Sequence, residues 1–395
     1  MASSLSSASK ITLPPLSLYI HVPWCVRKCP YCDFNSHKAE AHIPEAEYVQ
    51  ALLDDLEADL PHVQGREIQT IFIGGGTPSL LSVEAFETLL TGLQKKVSFI
   101  NDIEITMEAN PGTFEAEKFA GYRKLGINRL SIGVQSFADK QLKHLGRIHN
   151  GQQAVAAINM AKEAGFDNFN IDLMHGLPDQ SQAQALADIQ QAIDLGPTHL
   201  SWYQLTIEPN TEFFKRPPTL PEDEALWDIQ EAGQALLAKH GFDQYEISAY
   251  AQAGKQATHN LNYWQFGDYI GIGAGAHGKI SDLINSPESL TASPVFRTWK
   301  TRAPKDFLNT EKQFLVGKES IQNEDLGLEF LMNVLRLQDG FDLNLFEQRT
   351  GYSLETIADG IDTSIEKGLL IQQGSQIKTT PKGSLFLNEI LAFFM

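Results

Sequence analysis

All three cysteines of the chain stand in one short stretch, PWCVRKCPYCDFNSH, as Cys25, Cys29 and Cys32. Thiolates are soft ligands, so the Cys-x3-Cys-x2-Cys spacing points to zinc, copper(I) or iron–sulfur chemistry rather than to magnesium or calcium. A structural zinc site closes four protein ligands round the ion, and His21 or His37 could complete a Cys3His set here. A cubane iron–sulfur cluster normally takes four cysteines. With three, one iron is left for a small-molecule ligand, which suggests chemistry at that iron rather than electron storage. An odd, tightly grouped set of thiols is a poor disulfide framework. It fits a reducing, cytoplasmic setting and a metal site.

Further along, polar residues recur where apolar runs stop. GGGTP (74–78) follows the run TIFI, Glu108 lies in TMEANPG, Gln135 in IGVQSF, Arg147 in LGRIHN and Asp172 in IDLMHGLP. Glycines after a strand let backbone amides approach a ligand, or simply make a tight turn with Ser82 as the cap of the next helix. A carboxylate can accept from ribose hydroxyls, and an arginine can hold a carboxylate with two parallel bonds.

The elements that must position these residues follow from periodicity. LSLYIHV, TIFIGG, IEITMEA, RLSIGVQ, FNIDLMHG and HLSWYQL read as strands, separated by amphipathic segments such as AEYVQALLDDLEADL and QQAVAAINMAKEAGF. This alternation is α/β with a parallel sheet, and six units suit a partial (β/α)6 barrel whose site lies on the loops after the strands. Residues 1–15 read as a flexible tail without a signal-peptide pattern, 16–240 as the barrel and 241–305 as an extension of it; 306–395 read as a mainly helical, winged-helix-like domain. Such modules often bind DNA. Residues 310–395, however, carry 7 basic and 13 acidic side chains, and the whole chain has a net charge of −18, so nucleic acid is disfavoured as a partner. No apolar run is long enough to cross a bilayer, so an integral membrane protein is not expected.

The cysteine loop after the first strand resembles the signature of the radical S-adenosylmethionine (SAM) superfamily. That resemblance implies a 4Fe-4S cluster on Cys25, Cys29 and Cys32, with SAM chelating the fourth iron and yielding a 5′-deoxyadenosyl radical after electron transfer. YIHVPWC, GGGTPS, EANP, GVQSF, IDLMHGLP and GIGAGAHG occur in one order. Together they resemble, over residues 16–395, the branch that holds the oxygen-independent coproporphyrinogen III oxidases and the related heme chaperones. Carried over by position, Tyr19, Gly75 and Glu108 would contact the cluster-bound SAM. Tyr31, Gly76, Thr77, Gln135, Arg147 and Asp172 match a second SAM site of the oxidase, with the context diverging at Thr206 and His277. The oxidase pattern continues to a fourth cysteine, where this chain has Phe34, while CPYCDFNS is the pattern of the chaperones.

THNLNYW (258–264) resembles the HNxxYW motif linked in the chaperones to heme binding. His259 could ligate heme iron and Tyr263 or Trp264 could stack on a porphyrin. The bland alternative is a hydrogen-bonded loop histidine, and His277 is a second candidate ligand. The resemblance therefore implies a heme chaperone that passes heme to acceptor proteins, among them membrane-associated respiratory proteins, and that needs an electron donor. The alternative reading is an oxidase that decarboxylates porphyrinogen propionates. A radical SAM enzyme of another kind and a zinc protein follow behind, and no residue is assigned a catalytic role.

Overall fold

The computed structural model describes residues 12–113, 116–282 and 293–395, with side chains 113 and 116 set aside. Most of the expected tail, residues 1–11, lies outside the described residues. Six strands follow one another: β1 (Leu16–Val22), β2 (Ile68–Gly75), β3 (Phe99–Ala109), β4 (Arg129–Gln135), β5 (Phe169–His175) and β6 (His199–Gln204). Each pairs in parallel with the next, and helices fill the connections. After β6 the chain adds β7 (Asp243–Glu246) and β8 (Ala249–Ala251) to that edge, antiparallel. It then returns to the other edge with β9 (Asp268–Ile272), parallel to β1, followed by antiparallel β10 (His277–Ser281), β11 (Val295–Lys300) and β12 (Leu315–Ser320). The result is one open sheet ordered β12-β11-β10-β9-β1-β2-β3-β4-β5-β6-β8-β7.

Successive strand side chains point to opposite faces, and here the two faces differ in chemistry. Leu16, Leu18, Ile20, Ile71, Ile73, Met107, Leu130, Ile132, Ile171 and Leu200 are fully buried in the main core. The alternate positions of the same strands are mostly polar and line the inside of the half-barrel, among them Glu108, Arg129, Gln135, Asp172 and Ser201. Period-two alternation thus turns each strand into a two-sided element, greasy toward the helices and polar toward the lumen.

The helices start where their sequences provide caps. Ser82 Oγ accepts from Ala85 N at 3.1 Å, as its position before VEAFETLL predicts. Asn150 with Gln153 and Ser181 with Gln184 form capping boxes at the heads of Gly151–Glu163 and Gln182–Asp194.

The C-terminal region has its own core around Leu326, Phe330, Val334, Phe346, Ile357 and Ile377. Helices Leu326–Val334, Leu343–Thr350 and Glu355–Glu366 precede a hairpin of Leu370–Gln373 with Gln376–Thr379, joined by the short strand Phe341–Asp342. This is the expected winged-helix-like arrangement. It meets the segment after the six-stranded barrel through Arg336, which pairs with Glu246 at 3.0 Å and lies over the Trp264 ring, 4.2 Å from its centroid.

Candidate functional site: a thiol loop over a polar lumen

The cysteine loop leaves β1 and is closed at its base by a two-residue parallel bridge, Trp24–Cys25 with His37–Lys38. His37 N donates to Pro23 O and Ala39 N to Cys25 O, both at 2.7 Å, so the loop between is held as an arch. Cys25, Cys29 and Cys32 are free thiols, half-buried, and all three line one cavity of about 360 Å³. Each has a polar neighbour: Thr77 Oγ1 is 3.6 Å from Cys25 Sγ, Arg147 Nη1 3.7 Å from Cys29 Sγ, and Ser36 Oγ 3.7 Å from Cys32 Sγ. Donors aimed at sulfur suit thiolates that carry negative charge. Burial pushes the Cys25 and Cys32 thiols up, so in the absence of a cation they stay protonated. Among the described residues no three carboxylate, imidazole or thiol groups, these included, close round a single metal ion. A cubane asks for something different, because each thiolate binds a different corner and the cluster's body stands between them. The loop fits that demand.

His21, a possible fourth zinc ligand on spacing alone, is otherwise engaged. Its Nε2 lies 2.8 Å from Asn35 O and its Nδ1 2.9 Å from the Tyr19 hydroxyl. Because a carbonyl only accepts, Nε2 carries the proton and Nδ1 accepts from Tyr19. Asn35 in turn donates to Ala274 O at 2.9 Å and Arg302 O at 2.8 Å, which ties the loop to the GIGAGAHG segment.

The glycines of GGGTP answer to packing against this loop. A Cβ on Gly75, whose φ is +111°, would lie 2.5 Å from His21 Cε1, and one on Gly76 would lie 2.4 Å from Trp24 O. Thr77 N donates to Trp24 O at 2.7 Å, so the turn after β2 and the thiol arch are one unit.

Two cavities open on either side of that unit. The lumen beneath the thiols is lined by Tyr31, Gly76, Gln135, Arg147 and Asp172, five of the six positions matched to a second SAM site. A second cleft of about 490 Å³ is lined by Tyr19, His277, Tyr263, Tyr269 and Arg302. Gly75, Glu108 and Phe34 border both. Of the first expected SAM set only Tyr19 is confined to the second cleft, while Gly75 and Glu108 stand between the two spaces. Thr77 is buried behind the lumen, in a small pocket with Asn110 and Arg147.

Glu108 Oε2 accepts from Gly75 N at 2.9 Å. Burial, and then the charge of Asp172, raise its pKa from 4.5 to about 8, so it is largely neutral at pH 7 in an empty site. Asp172 is also raised by burial, against hydrogen bonds from Asn170 at 2.7 Å and Ser131 at 3.0 Å. Gln135 is buried with a φ of 70°, a strained value for a non-glycine residue, and its Oε1 accepts from the Tyr203 hydroxyl at 2.8 Å.

Asn110 was not among the positions selected from the sequence, although EANP contains it. It accepts from Arg147 Nη2 at 2.5 Å and donates to Thr77 Oγ1 at 2.8 Å, linking the cation beside Cys29 to the hydroxyl beside Cys25. Tyr203, Arg129, Asn170 and His199 also line the lumen and were not selected. Strand alternation was the signal that could have found them, since each sits two or four places from a selected or polar inward residue.

The HNxxYW segment forms the helix Thr258–Trp264. Its members divide. Trp264 and Asn260 line the lumen and Tyr263 lines the second cleft, where the exposed His277 also stands. His259 is 1% exposed, with Nδ1 2.7 Å from Thr70 Oγ1 and Nε2 2.8 Å from the Tyr263 hydroxyl. Burial first, then the charge of Arg129, lowers its pKa to about 3, so it is neutral. Both ring nitrogens are occupied within the fold.

Comparison with known proteins follows the same lines. Residues 19–192 match the Radical SAM superfamily and residues 321–386 match the HemN C-terminal domain. The chain is 52% identical to the heme chaperone HemW of Escherichia coli, covering 98% of this chain and 99% of that one. It is 34% identical to the heme chaperone HemW of Bacillus subtilis over 96% of this chain and 99% of the other. The crystal structure of the coproporphyrinogen III oxidase HemN from Escherichia coli, a radical SAM enzyme, superposes with a TM-score of 0.80 at 23% identity, covering 97% of this chain and 90% of that one; the likeness is one of fold. Full-length identity to several such proteins, the thiol loop and the paired domains together place this chain in the HemW heme chaperone family of the radical SAM superfamily.

Proposed function

We propose that this protein is a heme chaperone: it binds heme, holds a 4Fe-4S cluster and SAM, and delivers the heme to an acceptor protein. The observation that carries the reading is 52% identity across nearly the whole of a relative named as a heme chaperone. Phe34 supports it, since the chain has no fourth cysteine at the place where the oxidase pattern has one. When bound, the cluster and SAM supply one-electron chemistry at a sulfonium.

The protein's own residues prepare that site. Cys25, Cys29 and Cys32 hold the cluster as thiolates, with Thr77, Arg147 and Ser36 placed at their sulfurs. Tyr19, Gly75 and Glu108 take the cluster-bound SAM. Glu108, held toward neutrality by burial, would ionise more readily beside a bound cationic group and accept a hydrogen bond from it. Tyr31, Gly76, Gln135, Arg147 and Asp172 form the wall of the lumen, with Thr77 behind it. Heme approaches the second cleft, where His277 and Tyr263 are nearer to open space than His259, with Trp264 on the neighbouring lumen wall. The chain divides into a barrel (16–240), its extension (241–305) and a C-terminal domain (306–395) that contacts partners. Those partners are a heme acceptor, membrane-associated respiratory proteins included, and an electron donor. The protein works in the cytoplasm, and among the described residues no helix is long and apolar enough to cross a membrane.

The test pairs two assays on anaerobically reconstituted protein. About four irons per chain, stoichiometric heme binding and no turnover of coproporphyrinogen III with SAM and reductant are expected. Vinyl product at enzymatic turnover overturns the chaperone reading in favour of the oxidase. Stoichiometric zinc in place of iron removes the cluster.

A further inference from the structure

The wall of the lumen contains a buried guanidinium with one edge unmatched. Arg129, the first residue of β4, is 2% exposed and lines the same cavity as the three thiols. Its Nε and Nη2, the two nitrogens of the side-on edge of the guanidinium, are buried and donate to nothing. Buried arginines normally place that edge against a carboxylate, because the two parallel N–H groups match its two oxygens. A buried charge left unpaired is costly, so the absence of a protein acceptor calls for an explanation.

The neighbours do not supply one. Asp172 receives Ser131 and Asn170; Glu246 receives Ser248 at 3.0 Å and Arg336 at 3.0 Å. Asn170 Oδ1 accepts from His199 Nδ1 at 2.7 Å, and His199 Nε2 is 2.9 Å from the Tyr245 hydroxyl. These acceptors receive other donors, and Arg129 acts on Asp172 through its charge without a hydrogen bond from Nε or Nη2. A second donor on the same cavity is also unmatched: the buried Nε1–H of Trp264, whose ring is fixed by Arg336. The lumen wall thus holds buried donors, on Arg129 and on Trp264, that no protein acceptor meets.

We propose that the lumen binds a carboxylate of a ligand, with Arg129 as its cationic fork and the Trp264 indole N–H as an additional donor. Two sources share this chemistry: a propionate of heme, which rests on the heme reading above, and the carboxylate of a SAM molecule held in the lumen. Either places an acidic arm of the ligand at Arg129, in the same cavity that the three thiols line.

The test titrates heme, heme dimethyl ester and SAM separately into anaerobically reconstituted full-length protein, as wild type, Arg129→Gln and Arg129→Lys. Binding is read by absorbance for the hemes and by equilibrium dialysis for SAM. If a propionate is the ligand, Arg129→Gln weakens heme by about ten- to hundredfold. Esterification weakens wild type similarly but costs the variant nothing further, and Arg129→Lys falls between. If SAM is the source, its affinity falls by the same factor while heme is unmoved. Both results support the carboxylate site. Equal binding of all three ligands to wild type and both variants, with the ester matching heme, overturns it. Should Arg129→Gln not fold, the ester on wild type and SAM on Arg129→Lys decide in its place. Wild type that binds no heme at all defeats the chaperone reading, and the SAM arm alone then decides this one.

Discussion

Two polar regions of this molecule use similar side chains and end differently. Beside β1 and β2, Ser17, Thr70, His259, Tyr263 and Asn262 form a continuous chain of hydrogen bonds, each 2.7–2.8 Å long. Next to it Asp268 takes Arg66 at 2.8 Å and Lys279 at 3.1 Å, and Lys300 sits between Asp55 at 2.6 Å and Asp59 at 2.7 Å. These groups close on one another. In the lumen, by contrast, Arg129, Trp264 and Nε of Arg147 have buried donors with no acceptor. Closed networks fix the fold, and open ones are shaped for something that is not protein. His259 belongs to the first kind, although its motif drew attention as a ligand.

Breaking the closed side should cost the most. Lys300→Met leaves two buried carboxylates facing each other, and a stability loss of about 3–5 kcal/mol is expected in urea unfolding at pH 7.5. Because burial already raises Asp55 to about 6, part of that loss should return at pH 5, where a proton can replace the ammonium. A loss that does not ease at low pH would mean that these ion pairs are not what holds the helix Glu45–Asp59 to β11.

His259→Ala comes next, at about 2–4 kcal/mol, from the cavity it leaves and the hydroxyls of Thr70 and Tyr263 that lose a partner. A variant with unchanged stability but lost heme binding would move His259 to the open side of the comparison.

Glu108→Gln probes the open side through pH. The folded-state pKa of about 8 exceeds the ordinary value of 4.5, so wild type keeps this contribution below pH 4.5. It loses it as the pH rises toward 8, because only the unfolded chain releases the proton in that window. The amide cannot ionise, so ligand-free Glu108→Gln should gain on the order of 1–3 kcal/mol over wild type between pH 5 and pH 8. Melting curves at the two pH values check this, and parallel pH profiles would refute it. The same variant should bind SAM more weakly.

The smallest effect is expected at the rim. Phe34 is 58% exposed where the two cavities meet, so Phe34→Ala should change stability by no more than about 0.5 kcal/mol, measured by the same urea curves. A larger loss would show that the aromatic ring props the thiol arch rather than bordering the ligand spaces.

Much of the architecture was legible in the chain. LSLYIHV and RLSIGVQ match β1 and β4 residue for residue, and Ser82 caps the helix it precedes. Local signals suffice there, because a strand with one face on the core shows as period-two alternation of apolar residues and a helix start needs an acceptor. The strands added beside β1 were less legible. DYIGI forms β9 and pairs with β1 from some 250 residues away, and a five-residue strand states nothing about its partner. In the site, EANP was noticed but Asn110 was not, since only the fold brings Arg147 and Thr77 to either side of its amide.

What the sequence determined by itself is the chemistry on offer: three soft ligands on one loop, polar residues in alternation along six strands, and helices to cover the opposite face. Those depend on residue type and short spacing, which the chain carries locally. Which polar groups satisfy one another was decided only in three dimensions. His259 and Arg129 are both buried polar residues beside apolar runs, yet both ring nitrogens of one are matched and two nitrogens of the other are not. A hydrogen bond is made or missed within a few tenths of an ångström, and that precision exists only once distant strands have been brought into register.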